Sequence, residues 1–151
     1  MALPPELQQG LLGSWSGSYR VWLEPGAEPS ECETAATCTP ELADRFVAYR
    51  YDWSYDGAPQ HGYALLGCTD SGEYQMAWTD TWHMGNAIMF CTGAGPEPIV
   101  TGAWAEDDPG GAWHWRTEFA FAGADSLTVA AYNITPAGEE MLATEARYTK
   151  R

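Results

Sequence analysis

Hydrophobic and polar residues alternate with a period of two from Gly13 onward. Trp15, Gly17, Tyr19, Val21 and Leu23 fall on one face of an extended chain, and Ser14, Ser16, Ser18 and Arg20 on the other. This pattern predicts a first strand that is apolar inside and polar outside. Further strands are expected at about 43–55, 60–68, 73–82, 86–92, 97–105, 112–121, 126–134 and 140–149. Turn-forming runs separate them, among them Asp56-Gly57-Ala58-Pro59, Asp70-Ser71-Gly72, Gly93-Ala94-Gly95-Pro96 and Thr135-Pro136-Ala137-Gly138. Residues 24–41 hold three prolines and the first two cysteines, and they read either as a loop or as a poorly patterned strand. The count is therefore nine or ten. The opening differs: Pro4 and Pro5 suit a first helical turn, and Leu7, Leu11 and Leu12 stand at helical spacing, so a short helix is expected over about 4–12.

Short links between successive strands imply antiparallel neighbours in a meander, and no long helical stretch intervenes as an α/β fold would require. Closing the meander into a single antiparallel up-and-down barrel removes the exposed edges that invite aggregation. The expected fold is all-β, one barrel domain over 1–151.

Composition adds constraints. The 151 residues carry 7 basic and 21 acidic side chains, a net charge of −14, with the acid spread through both halves. So few Lys and Arg leave nothing to cluster against phosphate, and neither nucleic acid nor an anionic membrane is an expected partner. The opening run lacks the cationic and apolar regions of a secretory signal, and no later stretch reaches the roughly 18 apolar residues of a membrane span. A cytoplasmic location is therefore expected, where Cys32, Cys38, Cys68 and Cys91 would be free thiols; a Cys32–Cys38 disulfide closing a small loop is the alternative. Neither these cysteines nor His61, His83 and His114 follow a zinc-ligand spacing, and a haem held through one histidine would rest on a single residue. No cofactor or metal is expected. Lys150 is the only lysine and no Gly-x-Ser-x-Gly occurs, which removes Schiff-base, P-loop and serine-hydrolase chemistry.

The entry Leu11-Leu12-Gly13-Ser14-Trp15-Ser16-Gly17, the middle Gly62-Tyr63…Tyr74…Trp78-Thr79-Asp80 and the end Gly138…Glu145…Tyr148-Thr149-Lys150-Arg151 carry a resemblance. In order and spacing they resemble the bacterial domain-of-unknown-function family 1579, itself similar to lipocalin-like (calycin) barrels, over nearly the whole chain. The resemblance implies a barrel that binds small apolar molecules. It also implies that Gly13 and Trp15 close one end, with an arginine from the last strand laid across the indole. Arg147 is the first candidate for that cation and Arg151 the second.

Candidate chemistry concentrates on two segments. Between Tyr74 and His83, alternation groups Tyr74, Met76, Trp78, Asp80 and Trp82 on one side. A carboxylate on an aromatic face must be paired, hydrogen-bonded or protonated once desolvated. Asp80 is therefore either a polar anchor, even a general base, in an aromatic cavity, or a cap on a turn at a strand end. In the second segment Trp113, Trp115, Thr117 and Phe119 oppose His114, Arg116 and Glu118. Either the polar set is a solvated stripe, or Arg116 turns inward, pairs with Glu145 or Asp80 and binds an anion. Arg50, between Tyr49 and Tyr51, has the same ambiguity, and Tyr63 and Tyr132 are amphipathic wall candidates.

The leading expectation is a binding barrel, monomeric or homodimeric, holding a small apolar or amphipathic molecule in an aromatic-lined cavity. Trp78, Asp80, His83, Trp113, Trp115 and Arg116 are its candidate contacts, with Arg50, Tyr63 and Tyr132 beside them. One alternative is an isomerase, cyclase or hydrolase using Asp80 or His83 in the same cavity. The other is a filled, structural barrel that dimerises through surface aromatics such as Trp22.

Overall fold

The computed structural model describes residues 2–151, leaving Met1 outside. A helix, α1 (Pro5–Leu11), precedes ten strands: β1 (Gly13–Val21), β2 (Ser30–Glu41), β3 (Phe46–Tyr55), β4 (Ala58–Cys68) and β5 (Tyr74–Asp80), then β6 (Met89–Gly93), β7 (Ile99–Trp104), β8 (Trp113–Gly123), β9 (Ser126–Ile134) and β10 (Glu140–Lys150). Each strand pairs antiparallel with the next, and β10 returns to β1, so the sheet closes on itself. The seam is thinnest between β6 and β7, where Thr92 opposite Thr101 is the one registered pair.

The ambiguous stretch resolves into β2, which runs beside β1 from Ser30 opposite Val21 to Cys38 opposite Gly13. The strand count is ten for that reason, and only residues 24–29 remain as a loop. The same finding removes the Cys32–Cys38 disulfide, because six residues along one extended strand separate the two by about 20 Å, far beyond bridging distance. All four cysteines are free. Burial pushes the Cys38 and Cys91 thiols up to about 12, which leaves them inert packing groups.

One end of the barrel is shut by α1. Leu7 and Leu11 turn their side chains onto the core, and the fully buried Trp15 donates its indole N–H to the Leu11 carbonyl at 2.8 Å. Gly13 makes the passage from helix to strand at φ 129°, a conformation that side chains resist. The cation beside Trp15 is Lys150, whose Nζ lies 5.1 Å from the ring centroid. Arg147, expected there, instead points outward and pairs with Glu145 at 2.9 Å. Strand parity explains the exchange. Ala146 and Tyr148 face inward, so Arg147 between them faces out, whereas Lys150 shares their face and stands opposite Trp15.

The centre is filled by aromatic side chains. Tyr49 and Tyr148 join hydroxyls at 2.7 Å, Tyr49 stacks on Tyr51 at 4.9 Å, and Phe119 meets Tyr49 edge-on at 5.9 Å. Small residues make this possible. A Cβ on Gly62 would lie 1.9 Å from the Tyr51 ring, so glycine there leaves the phenol its space. What remains in the middle is a void of about 30 Å³, room for a water molecule and little more. No helix among the described residues is long and apolar enough to cross a membrane.

Candidate functional site

The end opposite α1 stays open, and the site is built there around the last residue of β5. Alternation along β5 buries Tyr74, Met76, Trp78 and Asp80 in turn, so the carboxylate arrives inside the barrel at its rim. Asp80 is 1% exposed and accepts four hydrogen bonds. Tyr51 hydroxyl and Trp53 Nε1 donate to Oδ2 at 2.7 and 3.1 Å. The backbone N–H groups of Trp82 and His83 donate to Oδ1 at 2.8 and 3.1 Å. One oxygen thus caps the turn that follows β5 and the other holds two aromatic side chains of β3. The Tyr51 oxygen in turn accepts from Trp78 Nε1 at 3.0 Å, which extends the network across the barrel. Among the described residues no Lys or Arg side chain pairs with Asp80. Its lone pairs are engaged by donors instead, the other arrangement in which a buried carboxylate is tolerated.

The turn capped by Asp80 carries Trp82, His83 and Met84 over the barrel mouth. His83 is packed between indoles, with ring centroids 5.3 Å from Trp115, 5.7 Å from Trp53 and 4.7 Å from Trp82. Burial pulls its imidazole below the usual histidine value, and the Asp80 carboxylate opposes that pull. Burial, followed by the Asp80 charge, raises the Tyr19 phenol well above its ordinary value, and its hydroxyl lies 3.4 Å from His83 Nε2, the histidine tautomer setting which of the two donates.

A depressed histidine carries a sign. The folded state keeps His83 neutral at pH values where the unfolded chain, near 6.5, already binds a proton, so its stability contribution is complete above that value and is lost as pH falls. Urea unfolding between pH 7.5 and 5.5 should show a decline of at most about 1.4 kcal/mol per pH unit from this group. The slope should be shallower in His83→Gln; an unchanged slope would assign the decline elsewhere.

Around this turn lies a cavity of about 380 Å³ lined by Trp22, Trp78, Trp82, His83, Trp104 and Trp115. Met84, Met89 and Asn133 complete its polarisable and polar parts. Asn133 Oδ1 already accepts from Trp104 Nε1 at 3.2 Å, which fixes that rim indole. Trp78 and Trp115 stack at 5.4 Å and 10° and line both this cavity and the central void, so the pair forms the partition between them.

Of the residues singled out from the sequence, the structure gathers Trp78, Trp115 and His83 on the cavity, with Asp80 immediately behind them. The rest lie elsewhere. Arg116 is on the outer face, pairing with Glu140 at 2.5 Å and Glu118 at 3.3 Å and lying 4.6 Å over Tyr132. It does not turn inward, because Trp115 and Thr117 on either side of it do. Arg50 and Tyr63 form a similar outer pair at 5.0 Å. Trp113 rests against Trp104 at the rim, centroids 5.5 Å apart. The sequence reading did not include Trp22, Met84, Met89, Trp104 or Asn133 in the site. Trp82 alone carried a usable signal, since it shares the parity of Trp78 and Asp80. Among the described residues no three His, Cys, Asp or Glu side chains converge as a metal site would need.

The profile of a family described as a protein of unknown function, DUF1579, matches residues 6–150. This chain belongs to DUF1579. Among solved structures, this DUF1579 protein is similar to Rv2717c from M. tuberculosis at 16% identity and a TM-score of 0.63, covering 99% of each chain. At that identity the likeness speaks for the barrel alone. None of the curated proteins matches this chain.

Proposed function

We propose that this DUF1579 protein is a lipocalin-like binding barrel that holds a small, largely apolar molecule at its mouth rather than at its centre. The observation that carries the reading is the cavity of about 380 Å³ walled by five tryptophans at the open end. That volume is within the range of small-molecule sites, and aromatic walls with few polar groups are their usual lining. A large apolar recess of this kind is otherwise a liability in water. The central void, at about 30 Å³, is too small to be the site. The His83 imidazole supplies a polar point of orientation. Asp80 serves this function indirectly, by fixing the turn that carries Trp82 and His83; its oxygens are already occupied, which removes the main support for its use as a general base.

The test uses the indole N–H resonances as reporters. Titrating the intact protein with uncharged 2-acetylnaphthalene should shift the Nε1–H signals of Trp78, Trp82, Trp104 and Trp115 and leave that of Trp15, under α1, in place. Shifts confined to other residues, or none at all, would remove the mouth as the binding site.

A further inference from the structure

We propose that the ligand of the mouth cavity is a small organic cation of the quaternary-ammonium class. Such a ligand presupposes that the cavity binds at all, as proposed above. Five indole rings and the His83 imidazole line it, and the face of an indole attracts an organic cation placed within about 6 Å of its centroid. No Lys, Arg, Asp or Glu is among the lining residues, and burial keeps His83 neutral, so no charge of the protein's own occupies the aromatic enclosure.

The wall behind the enclosure is negative. Asp80 accepts all four of its hydrogen bonds and pairs with no Lys or Arg side chain among the described residues. Two of those bonds come from the backbone of Trp82 and His83, whose side chains line the cavity. The net charge of −14 adds a long-range field of the same sign, which raises the local concentration of cations and excludes anions.

Hydrogen-bond chemistry narrows the class. A primary ammonium brings three N–H donors, whereas the side-chain acceptors in the lining are few: Asn133 Oδ1, which already accepts one bond from Trp104, and one ring nitrogen of the neutral His83. A fully methylated ammonium needs no acceptor and can meet ring faces and the Met84 and Met89 thioethers on every side. The source is a free small cation rather than a zwitterionic lipid headgroup, because the headgroup's phosphate would find no Lys or Arg in the cavity lining.

Choline and its neutral carbon isostere, 3,3-dimethylbutan-1-ol, separate charge from shape. With the intact protein, calorimetry and indole N–H shifts should show choline binding at least about tenfold more tightly than the isostere. Its affinity should fall with added KCl, while that of the isostere should not. Trp104→Leu, at a partly exposed rim position and with its circular dichroism spectrum checked against the native protein, should weaken choline binding about fivefold. Equal or tighter binding of the isostere, or choline affinity unchanged in Trp104→Leu, overturns the cation class. So does binding of 2-acetylnaphthalene without choline, which leaves the mouth as a binding site for neutral molecules. Pelleting of the protein with phosphatidylcholine vesicles in the absence of free-choline binding overturns the free-cation source. If neither choline nor 2-acetylnaphthalene shifts the mouth indoles, both proposals fall.

Discussion

Asp80→Ala should lower the unfolding free energy by about 3–5 kcal/mol, read as a drop in the urea or guanidinium midpoint with circular dichroism as the probe. The carboxylate is the acceptor for four donors: Tyr51 hydroxyl, Trp53 Nε1 and the backbone N–H groups of Trp82 and His83. A hydrogen bond to a charged group contributes about 1.5–3 kcal/mol, and donors left unsatisfied in a buried site also keep their desolvation penalty. Water entering the vacated space at the mouth recovers part of the loss, which keeps the expected figure below the sum of four bonds. Asp80→Asn retains one oxygen of the same shape and should be milder. In both variants the indole resonances of Trp82 and Trp53 should move first, since Oδ1 caps the turn bearing one and Oδ2 accepts directly from the other. A loss below about 1 kcal/mol for the alanine variant would show that this network does not hold the rim together.

Trp15→Ala should be comparably severe at the other end, at about 3–5 kcal/mol. The indole is wholly buried, donates to the Leu11 carbonyl at 2.8 Å and lies beneath Lys150. Its removal opens a cavity in the core and also detaches the last turn of α1 from the barrel. Trp15→Phe keeps most of the buried ring but not the N–H, so its smaller loss, about 1–2 kcal/mol, isolates the hydrogen bond together with the packing change. Proteolysis within residues 5–11 should become detectable in the alanine variant well before global unfolding. Resistance equal to that of the native chain would mean that Leu7 and Leu11 alone keep the helix seated.

The two sites differ in how visible they were beforehand. Asp80 stood out in the sequence because its parity with Tyr74, Met76 and Trp78 put a carboxylate on an apolar face, and that placement is what the fold shows. Of its two readings, ligand anchor and turn cap, the cap is what Oδ1 makes, while Oδ2 accepts from Tyr51 and Trp53 of β3. Trp15 was equally legible, but its cation was not. Parity counted forward from the inward Tyr148 selects Lys150, whereas the arginine that the resemblance implied pointed to Arg147. Arg50 was ambiguous because both faces of its strand carry aromatics, and Arg116 because an inward arginine had Glu145 or Asp80 as candidate partners; the outward rings of Tyr63 and Tyr132 proved to lie beside them.

By itself the sequence determined the helix, most of the strands, their meander and which side chains of a strand share a face. It could do so because alternation and turn chemistry are local: a strand's side chains take opposite faces whatever it pairs with. Only the tertiary structure decided how the interior is divided, into a centre packed by Tyr49, Tyr51, Phe119 and Tyr148 and a mouth left open among five tryptophans. Trp22, Trp82, Trp104 and Trp115 come from four separate stretches of chain. Their convergence depends on register and on closure of β1 against β10, pairings between distant residues that no local period encodes.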